Sequence, residues 1–556
     1  MKPIRVILFF SILLYISDTS ATQHVSCRKD TITDQISASV THQIIPVVTR
    51  VEHNAVMKIR LTNLSGKPVS LHDITLSLKG TSALKDIESV SVFHADEKGR
   101  LDSRKQYGQS LKPAEKLTFK SKLIIEKPEQ FFWVSIKLKS EVELTNTIHI
   151  SCTKIKTSQG YLQVHATKAA PNLRLGIALR QHKDDGIHTY RIPGLATTKK
   201  GTLIAVYDAR HNSARDLQGD IDIAINRSFD GGKTWEPLQT VLDMKKWGGL
   251  PEKFNGVSDA CILVDDVTGE IIIAGLWMHG LLDAESGKFI EGLTDDSQLW
   301  LHQWNKKGSQ PGFDVKETSQ FLITRSIDDG TTWSEPENIT RQVKKEEWWL
   351  FCPAPGSGIT LNDGTLVMPT QGRDEKGEPF SSIIYSLDRG KTWQSSNPAY
   401  SGVNECMAVQ LTDGSIMLNM RDGRNRNNTE INGRVICTTN DMGETWTEHP
   451  SSRKALIEPT CMASLYKHAY ISKNEKKQVL LFCNPNSISK RNNITLKASF
   501  DDGATWPENK WILLDELSGR GYSCITSVDE ETIGVLYESS QADMVFQKIK
   551  ISEIIK

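Results

Sequence analysis

The sequence lacks several features that would place it quickly in a class of proteins. Its 556 residues include 67 basic and 67 acidic side chains, so the net charge is zero and nothing favours nucleic acid as a partner. The nine cysteines are scattered, with no Cys-x-x-Cys or Cys/His spacing, so we expect no metal site and no cofactor. After the amino terminus, no apolar run is long enough to cross a bilayer, so we expect no membrane span.

The amino terminus is typical of a secretory signal peptide. Lys2 and Arg5 precede an apolar run over residues 6–16, and small residues follow at 19–21. We therefore predict a signal peptide at 1–21 and a periplasmic or extracellular protein. Export permits a disulfide such as Cys27–Cys152, but the sequence does not establish the pairing.

Helical periodicity is also scarce, whereas period-two alternation is common. In 55–61 the apolar residues Ala55, Met57, Ile59 and Leu61 fall on one face, and 132–138 alternates in the same way. We predict that residues 22–175 form a small antiparallel β-sandwich. Carbohydrate binding and simple spacing are both open as its role.

One octet occurs five times, with the pattern Ser/Thr-x-Asp-x-Gly-x-Thr-Trp. The intervals between the copies are 98, 60, 53 and 60 residues, and the long first interval predicts a blade without an octet or a large insertion. The octets are Ser228–Trp235, Ser326–Trp333, Ser386–Trp393, Thr439–Trp446 and Ser499–Trp506.

The octet chemistry indicates a structural role. Asp-x-Gly is a turn signal between two strands, and the tryptophan can return to a buried surface. Calcium or sugar binding is the weaker alternative, because each octet offers one carboxylate and calcium usually takes about six oxygens or more.

Every octet lies in residues 176–556, where short apolar runs recur at the length of strands. Repeated β-units closing in a ring predict a β-propeller, so the whole chain is expected to be all-β. A polar insertion at 283–316, with Trp300 and Trp304, either overhangs a site or is an exposed elaboration.

Four polar stretches away from the octets are candidates for the chemistry. Taken singly, an arginine at a strand end is usually a solvated group, and a lone acidic residue usually caps a turn. The stretches are Tyr190–Gly194 with Ala209–Asp216, Asn404–Cys406 with Asn419–Asp422, Asn484–Thr495, and Gly521–Ser523.

With the octets, these stretches make the sequence resemble the sialidase (exo-α-neuraminidase) family, in particular its exported bacterial members. The markers are Arg-Ile-Pro-Gly at 191–194, Asn404-Glu405, Arg421 and Gly521-Tyr522-Ser523. The resemblance covers about residues 180–556. It implies a six-bladed propeller whose octets, the Asp-boxes of the family, lie on the face opposite the active site.

The resemblance also implies roles for individual residues. Asp216 matches the acid/base, Tyr522 the nucleophile and Glu405 its partner. The substrate-binding positions are the arginine triad Arg191, Arg421 and Arg491, a further arginine Arg210 near the substrate's O4, Asp259 and Trp277 around O4 and the N-acetyl pocket, and Gln371 near the glycerol tail.

These residue types suit the implied chemistry. Sialic acid has a carboxylate on its anomeric carbon, and guanidinium groups bind carboxylates with planar, bidentate hydrogen bonds. A carboxylate nucleophile would be repelled by that group, whereas a neutral tyrosine hydroxyl is not, and sialidases with a tyrosine nucleophile are a known exception among glycosidases. No step requires a metal.

The leading hypothesis is therefore a retaining exo-sialidase acting on sialylated glycoproteins, glycolipids and oligosaccharides. A trans-sialidase, including an intramolecular one, shares the same residues and remains an alternative. A sialic-acid lectin would not need Asp216, Glu405 and Tyr522 together. An unrelated glycosidase with octets would not need three arginines.

Overall fold

The computed structural model describes residues 35–556, except 218, 279–282, 284, 287–289, 299–308 and 428–429. The predicted signal peptide, Cys27, Trp300 and Trp304 lie outside the described residues, so the export signal and the Cys27–Cys152 pairing stay predictions. Among the described residues, no helix is both long and apolar enough to cross a membrane.

Two sheets face each other across an apolar core over residues 36–166, as the alternation predicts. The strands are β1 (Ile36–His42), β2 (Val47–Thr49), β3 (Asn54–Asn63), β4 (Val69–Ser77), β5 (Ile87–Ala95), β6 (Leu101–Gln106), β7 (Lys116–Ile125), β8 (Glu129–Leu138), β9 (Thr147–His149), β10 (Ser151–Thr157), β11 (Gly160–Leu162) and β12 (Val164–Ala166). One sheet has the strand order β12-β1-β3-β8-β5-β6 and the other β11-β10-β4-β7, and their pairs are antiparallel except that β12 joins β1 in parallel.

One detail of the alternation differs from the prediction. Met57, Ile59 and Leu61 are buried, but Ala55 is only half-buried and Val56 takes the core position. A bulge between Ala55 and Met57 shifts the register against β8, and an extra residue reverses the faces of the strand on one side of it.

The rest of the chain forms six blades of antiparallel strands. They follow one another in sequence, and each of the first five has a path of four antiparallel strands, to which the third blade adds short extra strands. The strands are β13 (Asn172–Arg180); β14 (Thr189–Thr197), β15 (Leu203–Arg210), β16 (Ile221–Ser228) and β17 (Gln239–Leu242); β18 (Gly256–Val264), β19 (Ile271–Met278), β20 (Gln320–Ser326) and β21 (Glu337–Asn338); β22 (Leu350–Pro353), β23 (Gly356–Ser357), β24 (Ile359–Thr360), β25 (Leu366–Arg373), β26 (Pro379–Ser386), β27 (Gln394–Ser395) and β28 (Tyr400–Ser401); β29 (Val403–Gln410), β30 (Ile416–Asp422), β31 (Val435–Thr439) and β32 (Thr447–Glu448); β33 (Ser464–Ser472), β34 (Glu475–Pro485), β35 (Ile494–Ser499) and β36 (Ile512–Asp515); and β37 (Ser523–Ser527), β38 (Thr532–Tyr537) and β39 (Met544–Lys550). The α-helices are α1 (Thr340–Val343) and α2 (Ile551–Ile555).

The sixth blade closes the ring with strands from the beginning and from the end of the propeller sequence. β13 pairs with β39, so the first strand completes the sheet formed by the last three. β2 and β9 also pair with β13. The sandwich and the propeller therefore share one sheet, and the predicted domain limit between residues 175 and 176 falls within β13.

Each octet connects the third and fourth strands of one of the first five blades. Its hydroxyl donates to the aspartate and accepts the glycine N–H, as in Ser228 Oγ–Asp230 Oδ1 (2.9 Å) and Gly232 N–Ser228 Oγ (2.9 Å). Thr234 N also donates to Asp230 Oδ1. These bonds occupy the carboxylate within the turn, which favours the structural interpretation over calcium binding.

The long first interval has a definite cause. The second blade contains an insertion between β19 and β20, in the region predicted from the polar stretch, and the blade without an octet is the sixth. That blade receives its outer strand, β13, from the start of the propeller, so it has no hairpin for an octet to form.

Candidate active site

All the catalytic and arginine candidates lie at one end of the propeller. They occur where first strands begin, where second strands end, or in the loops between second and third strands. The octets connect third to fourth strands, which places them at the other end. The topology therefore separates the candidate site from the octets, as the resemblance implies.

Bulges direct several of these side chains. The first strands of three blades shift register at Arg191–Gly194, Ser258–Cys261 and Val403–Cys406. Ile192 and Asp259 have φ values of 62° and 56°, which are unusual for residues other than glycine. Bulges change the direction in which nearby side chains point. These three strands therefore depart from regular geometry where they hold candidate residues.

Tyr522, Glu405 and Arg421 form a buried group at the centre. Tyr522 Oη donates to Glu405 Oε1 at 2.5 Å, and Arg421 Nη1 donates to Tyr522 Oη at 3.0 Å and also to Glu405 Oε2. Burial and the Glu405 carboxylate raise the pKa of Tyr522 well above its usual value, so the phenol is protonated. Arg421 Nε, although buried, has no hydrogen-bond acceptor among the described residues.

Glycine is required immediately before this tyrosine. Gly521 has φ 92°, and a Cβ there would lie 2.9 Å from Pro485 Cγ and 3.2 Å from Arg491 Cβ. The conformation brings the backbone close to the loop that holds Arg491, and so places Tyr522 beside it.

Arg191 and Arg491 lie on the ring of Tyr522. Their guanidinium carbons are 5.5 and 5.4 Å from the ring centroid. Together with Arg421 they bring three cations around one phenol. Arg491 donates to the carbonyls of Arg520 (3.0 Å) and Thr460 (3.4 Å), and no described carboxylate forms an ion pair with it.

Glu538 holds Arg191 in place, and the sequence analysis did not identify it. Its Oε1 accepts from Arg191 Nε and from Ile192 N (3.0 Å), and its Oε2 accepts from Tyr522 N (3.0 Å). The side chain is 1% exposed, and its neighbours, Arg191 foremost, lower its pKa against the effect of burial. One carboxylate thus fixes two candidate residues that lie more than three hundred residues apart in the sequence.

Asp216 belongs to a second group, built around Arg210. Arg210 Nη2 donates at 2.8 Å both to Asp216 Oδ1 and to Asp208 Oδ2. Arg210 is fully buried, whereas the Asp216 side chain is 46% exposed. Arg210, Arg191 and Arg421 lower the pKa of Asp216 despite the opposing effect of desolvation, so it is ionised without substrate.

Asp208 also escaped the sequence analysis. It accepts Ser258 Oγ at 2.6 Å and Asp259 N at 3.2 Å, which ties the Arg210 group to the bulge in β18. Burial raises its pKa to about 6, although Arg210 opposes the shift. In the sequence, Asp208 is marked only by its position two residues before Arg210, and nothing there distinguishes it from a residue of the core.

Asp259 and Gln371 are joined at the edge of this group. Gln371 Nε2 donates to Asp259 Oδ2 at 3.0 Å. Burial first, then the carboxylates of Asp216 and Glu405, raise the pKa of Asp259 well above its usual value. The predicted contact of Asp259 near O4 stays a prediction.

Trp277 is placed differently from these residues. It is 0% exposed, donates its indole N–H to Asn255 Oδ1 (2.9 Å) and packs edge-on against Trp247. The structure therefore presents it as a core residue of the second blade, and its predicted contact with an N-acetyl group stays a prediction.

His211, Asp220 and Asp222 are the described residues whose ligand atoms are close enough to hold a metal, within 4.8 Å of one another. His211 Nε2 and Asp222 Oδ2 are already paired at 2.9 Å. Burial and Asp222 raise the pKa of Asp220 to about 7. The hydrogen bond accounts for the approach of His211 and Asp222 to each other.

Comparison with known proteins identifies the family. The family model described as the N-terminal domain of BNR-repeat neuraminidase matches residues 35–160, and the model of the BNR repeat-like domain matches 192–513. A sialidase of Bacteroides fragilis (strain YCH46) is 37% identical over 540 residues, covering 92% of this chain and 94% of that protein. The chain belongs to the bacterial sialidase family.

Solved structures agree with this sialidase assignment. The Hadza microbial sialidase Hz136 superposes with a TM-score of 0.81 at 34% identity, covering 93% of this chain and 100% of that one. The intramolecular trans-sialidase from Ruminococcus gnavus gives a TM-score of 0.51 at 19% identity, covering 67% and 97%, and shows only the shared fold. The predicted β-propeller sialidase fold is confirmed, and the chain is a glycoside hydrolase.

Proposed function

We propose that this sialidase is a retaining exo-sialidase that removes terminal sialic acid from glycoproteins, glycolipids and oligosaccharides through a covalent intermediate on Tyr522. The observation that supports this most is the hydrogen bond of Tyr522 Oη to Glu405 within a ring of three arginines. A lectin would need the arginines but has no use for a tyrosine paired with a base.

The arginines would bind the substrate carboxylate. Glu538 pairs with Arg191 and Glu405 with Arg421, so these cations are held in place before substrate arrives. Arg491 has carbonyl acceptors and no described carboxylate partner, which leaves its charge for an anion. Unit charges about 4 Å apart attract by about 4 kcal/mol at an effective dielectric near 20, so this binding can orient the sugar.

In the first step, Tyr522 Oη would attack the anomeric carbon while its proton passes to Glu405. Asp216 would donate a proton to the departing glycosidic oxygen. In the second step, Asp216 would take a proton from water, whose oxygen attacks the same carbon as the bond from that carbon to Tyr522 Oη breaks, and Tyr522 would recover its proton from Glu405. Two displacements give net retention.

The electrostatics of the site suit this use of Asp216. Two of the three arginines that hold its pKa down, Arg191 and Arg421, are groups that a bound carboxylate would partly neutralise. Substrate binding would therefore raise the pKa of Asp216 toward the range in which it can donate a proton. Its exposure also leaves room for the leaving group and then for water.

We further propose the organisation predicted from the sequence: an export signal at 1–21, an accessory sandwich over 22–175 and a catalytic propeller over 176–556, in a periplasmic or extracellular protein. The continuous sheet through β2, β13 and β39 supports a rigid connection between sandwich and propeller.

The test compares Tyr522→Phe and Asp216→Ala with a control, Tyr385→Phe, on sialyllactose, whose leaving group needs a proton. Tyr385 is on β26, and its hydroxyl contacts Gln394 outside the site. We expect kcat to fall at least about a hundredfold in the two site variants and to stay unchanged in the control. Full activity in both site variants would refute the assignment.

Proton NMR of the first product distinguishes the alternatives. The α-anomer of sialic acid indicates retaining hydrolysis and the β-anomer an inverting enzyme. An anhydro product, or sialic acid transferred to an added galactoside, indicates a trans-sialidase.

A further inference from the structure

We propose that the outer surface of the sheet β11-β10-β4-β7 binds a sulfated glycan chain. We call this surface the lysine face. It is defined by Lys116 and Lys120 on β7 and by Lys154 and Lys156 on β10, all of them exposed. The proposal concerns the sandwich and is independent of the chemistry proposed for the propeller.

The strand register aligns these lysines. Lys156 is opposite Asp73, Asp73 is opposite Lys120, and Tyr161 extends the same row at the sheet edge. Their neighbours Ile155, Ile74 and Phe119 face the core, so the row points outward. Adjacent strands are about 4.8 Å apart, so Lys156 and Lys120 are separated by about 10 Å across the sheet.

The charges on this face are not compensated as they are on the opposite sheet. On the six-stranded sheet, Arg60 pairs with Glu129, and Lys137 pairs with Glu52 and Glu88. On the lysine face, none of the four lysines forms an ion pair with a described carboxylate, and Asp73 is the single acidic residue of the aligned row.

Two of the ammonium groups converge on one exposed aromatic ring. Lys154 Nζ is 3.5 Å from the centroid of Tyr161 and Lys156 Nζ is 6.0 Å from it, and Tyr161 is 60% exposed. Two cations held near each other at the surface repel, and an anion between them removes that repulsion.

The face also has a concave part. Lys120 and Lys156 line a shallow depression of ≈ 660 Å³ together with His72, Asp73 and Ser158. The backbone N–H of Ser158 is already bonded to the carbonyl of Ser70. The donors that a polyanion could use here are therefore the hydroxyls and amines at the rim. The depression lies across strands, as a bound chain would.

The use of lysine favours sulfate over carboxylate. Where this chain is expected to bind a planar carboxylate, it presents arginines, which suit bidentate contacts. The lysine face contains lysine alone, a compact charge that suits the oxygens of sulfate esters on an extended chain. The active site removes sialic acid and not sulfate, so contacts between the lysine face and sulfate groups would persist during turnover. These contacts could keep the enzyme bound to a glycan-covered surface.

The test measures binding of the full chain to dextran sulfate, uncharged dextran, polygalacturonate and vesicles of anionic lipid near 0.15 M salt. The variant is Lys120→Gln/Lys154→Gln/Lys156→Gln. The matched control is Lys112→Gln/Lys127→Gln/Lys139→Gln, three exposed lysines of the same sandwich outside the face. Both lose three charges, and hydrolysis of an aryl sialoside and thermal stability are measured in each.

We expect the wild type and the control to bind dextran sulfate and the face variant to bind it about tenfold more weakly, since each exposed ion pair contributes a few-fold. Sialoside hydrolysis should be unchanged in all three. The proposal is overturned if the wild type does not bind dextran sulfate, if the control loses as much affinity, or if polygalacturonate or vesicles of anionic lipid bind as tightly.

Discussion

Asp208 should set the pH at which Asp216 works, although it does not contact the reacting atoms. Both carboxylates accept from Arg210 Nη2 at 2.8 Å, so the two oxygens are separated by no more than twice that distance, about 5.6 Å. At an effective dielectric near 20, charges about 6 Å apart interact by about 3 kcal/mol, or about two pKa units. Ionised Asp208 therefore helps Asp216 to keep a proton.

Asp208→Asn removes this charge and keeps the shape. The pKa of Asp216 should then fall by about one to two units, because Arg210 acts on Asp216 alone. The pKa of Asp208 is itself about 6, so wild type and variant should differ above pH 6 and converge below it. The alkaline limb of the kcat profile should move to lower pH.

The assay uses two substrates. Sialyllactose has a poor leaving group that needs a proton from Asp216, whereas a p-nitrophenyl sialoside does not. The alkaline limb should therefore move for sialyllactose and much less for the aryl sialoside. Asp265→Asn is the matched control, because Asp265 is buried, pairs with Arg389 at 3.2 Å and follows β18 at the octet end. Equal shifts for both substrates, or a shift to higher pH, would refute the reasoning.

Three further predictions concern binding, scaffold and stability. Arg491→Met should lower kcat/KM on sialosides at least about a hundredfold with little change in Tm, because Arg491 has carbonyl acceptors rather than a described carboxylate partner; a large loss of Tm with normal kinetics would contradict this. Asp388→Ala, in the third octet, should do the reverse, since Asp388 accepts Thr392 N at 2.9 Å within its turn; a loss of kcat at unchanged Tm would mean that the two ends of the propeller are assigned wrongly. Burial lowers the pKa of Lys497 to about 7 from 10.5. Between pH 7 and pH 10.5 the amine is protonated in the unfolded chain and neutral in the folded chain, so the free energy of unfolding increases as the pH rises through this range. Protonating the buried amine costs up to about 5 kcal/mol at and below pH 7, so Lys497→Met should exceed the wild type in Tm most at pH 7 and least near pH 10; a constant difference would count against the shift.

The sequence predicted the parts of this protein that depend on short segments. The octets are local turns with their own hydrogen bonds, and the site candidates fall at strand ends that the repeat places at one end of the propeller. The alternation of β8 is regular and was predicted correctly, whereas the bulge at Ala55 in β3 left no signal, because a single extra residue does not change the composition of a strand.

What the sequence could not predict depends on distant contacts. Glu538 meets Arg191 from the far end of the chain, and Asp208 meets Asp259 from the next blade. Neither has a motif of its own, because a buried acidic residue gains its role from the partner that compensates its charge. The closing of the ring by β13 likewise requires pairing between strands more than three hundred residues apart.

The central claim is a covalent bond between sialic acid and Tyr522. The most direct measurement is peptide mass mapping after inactivation with 2,3-difluorosialic acid, whose ring fluorine slows the second displacement. We predict one adduct per chain, on the peptide that contains Tyr522, and no adduct in Tyr522→Phe. An adduct on another residue, or loss of activity with no adduct on any peptide, would contradict the account.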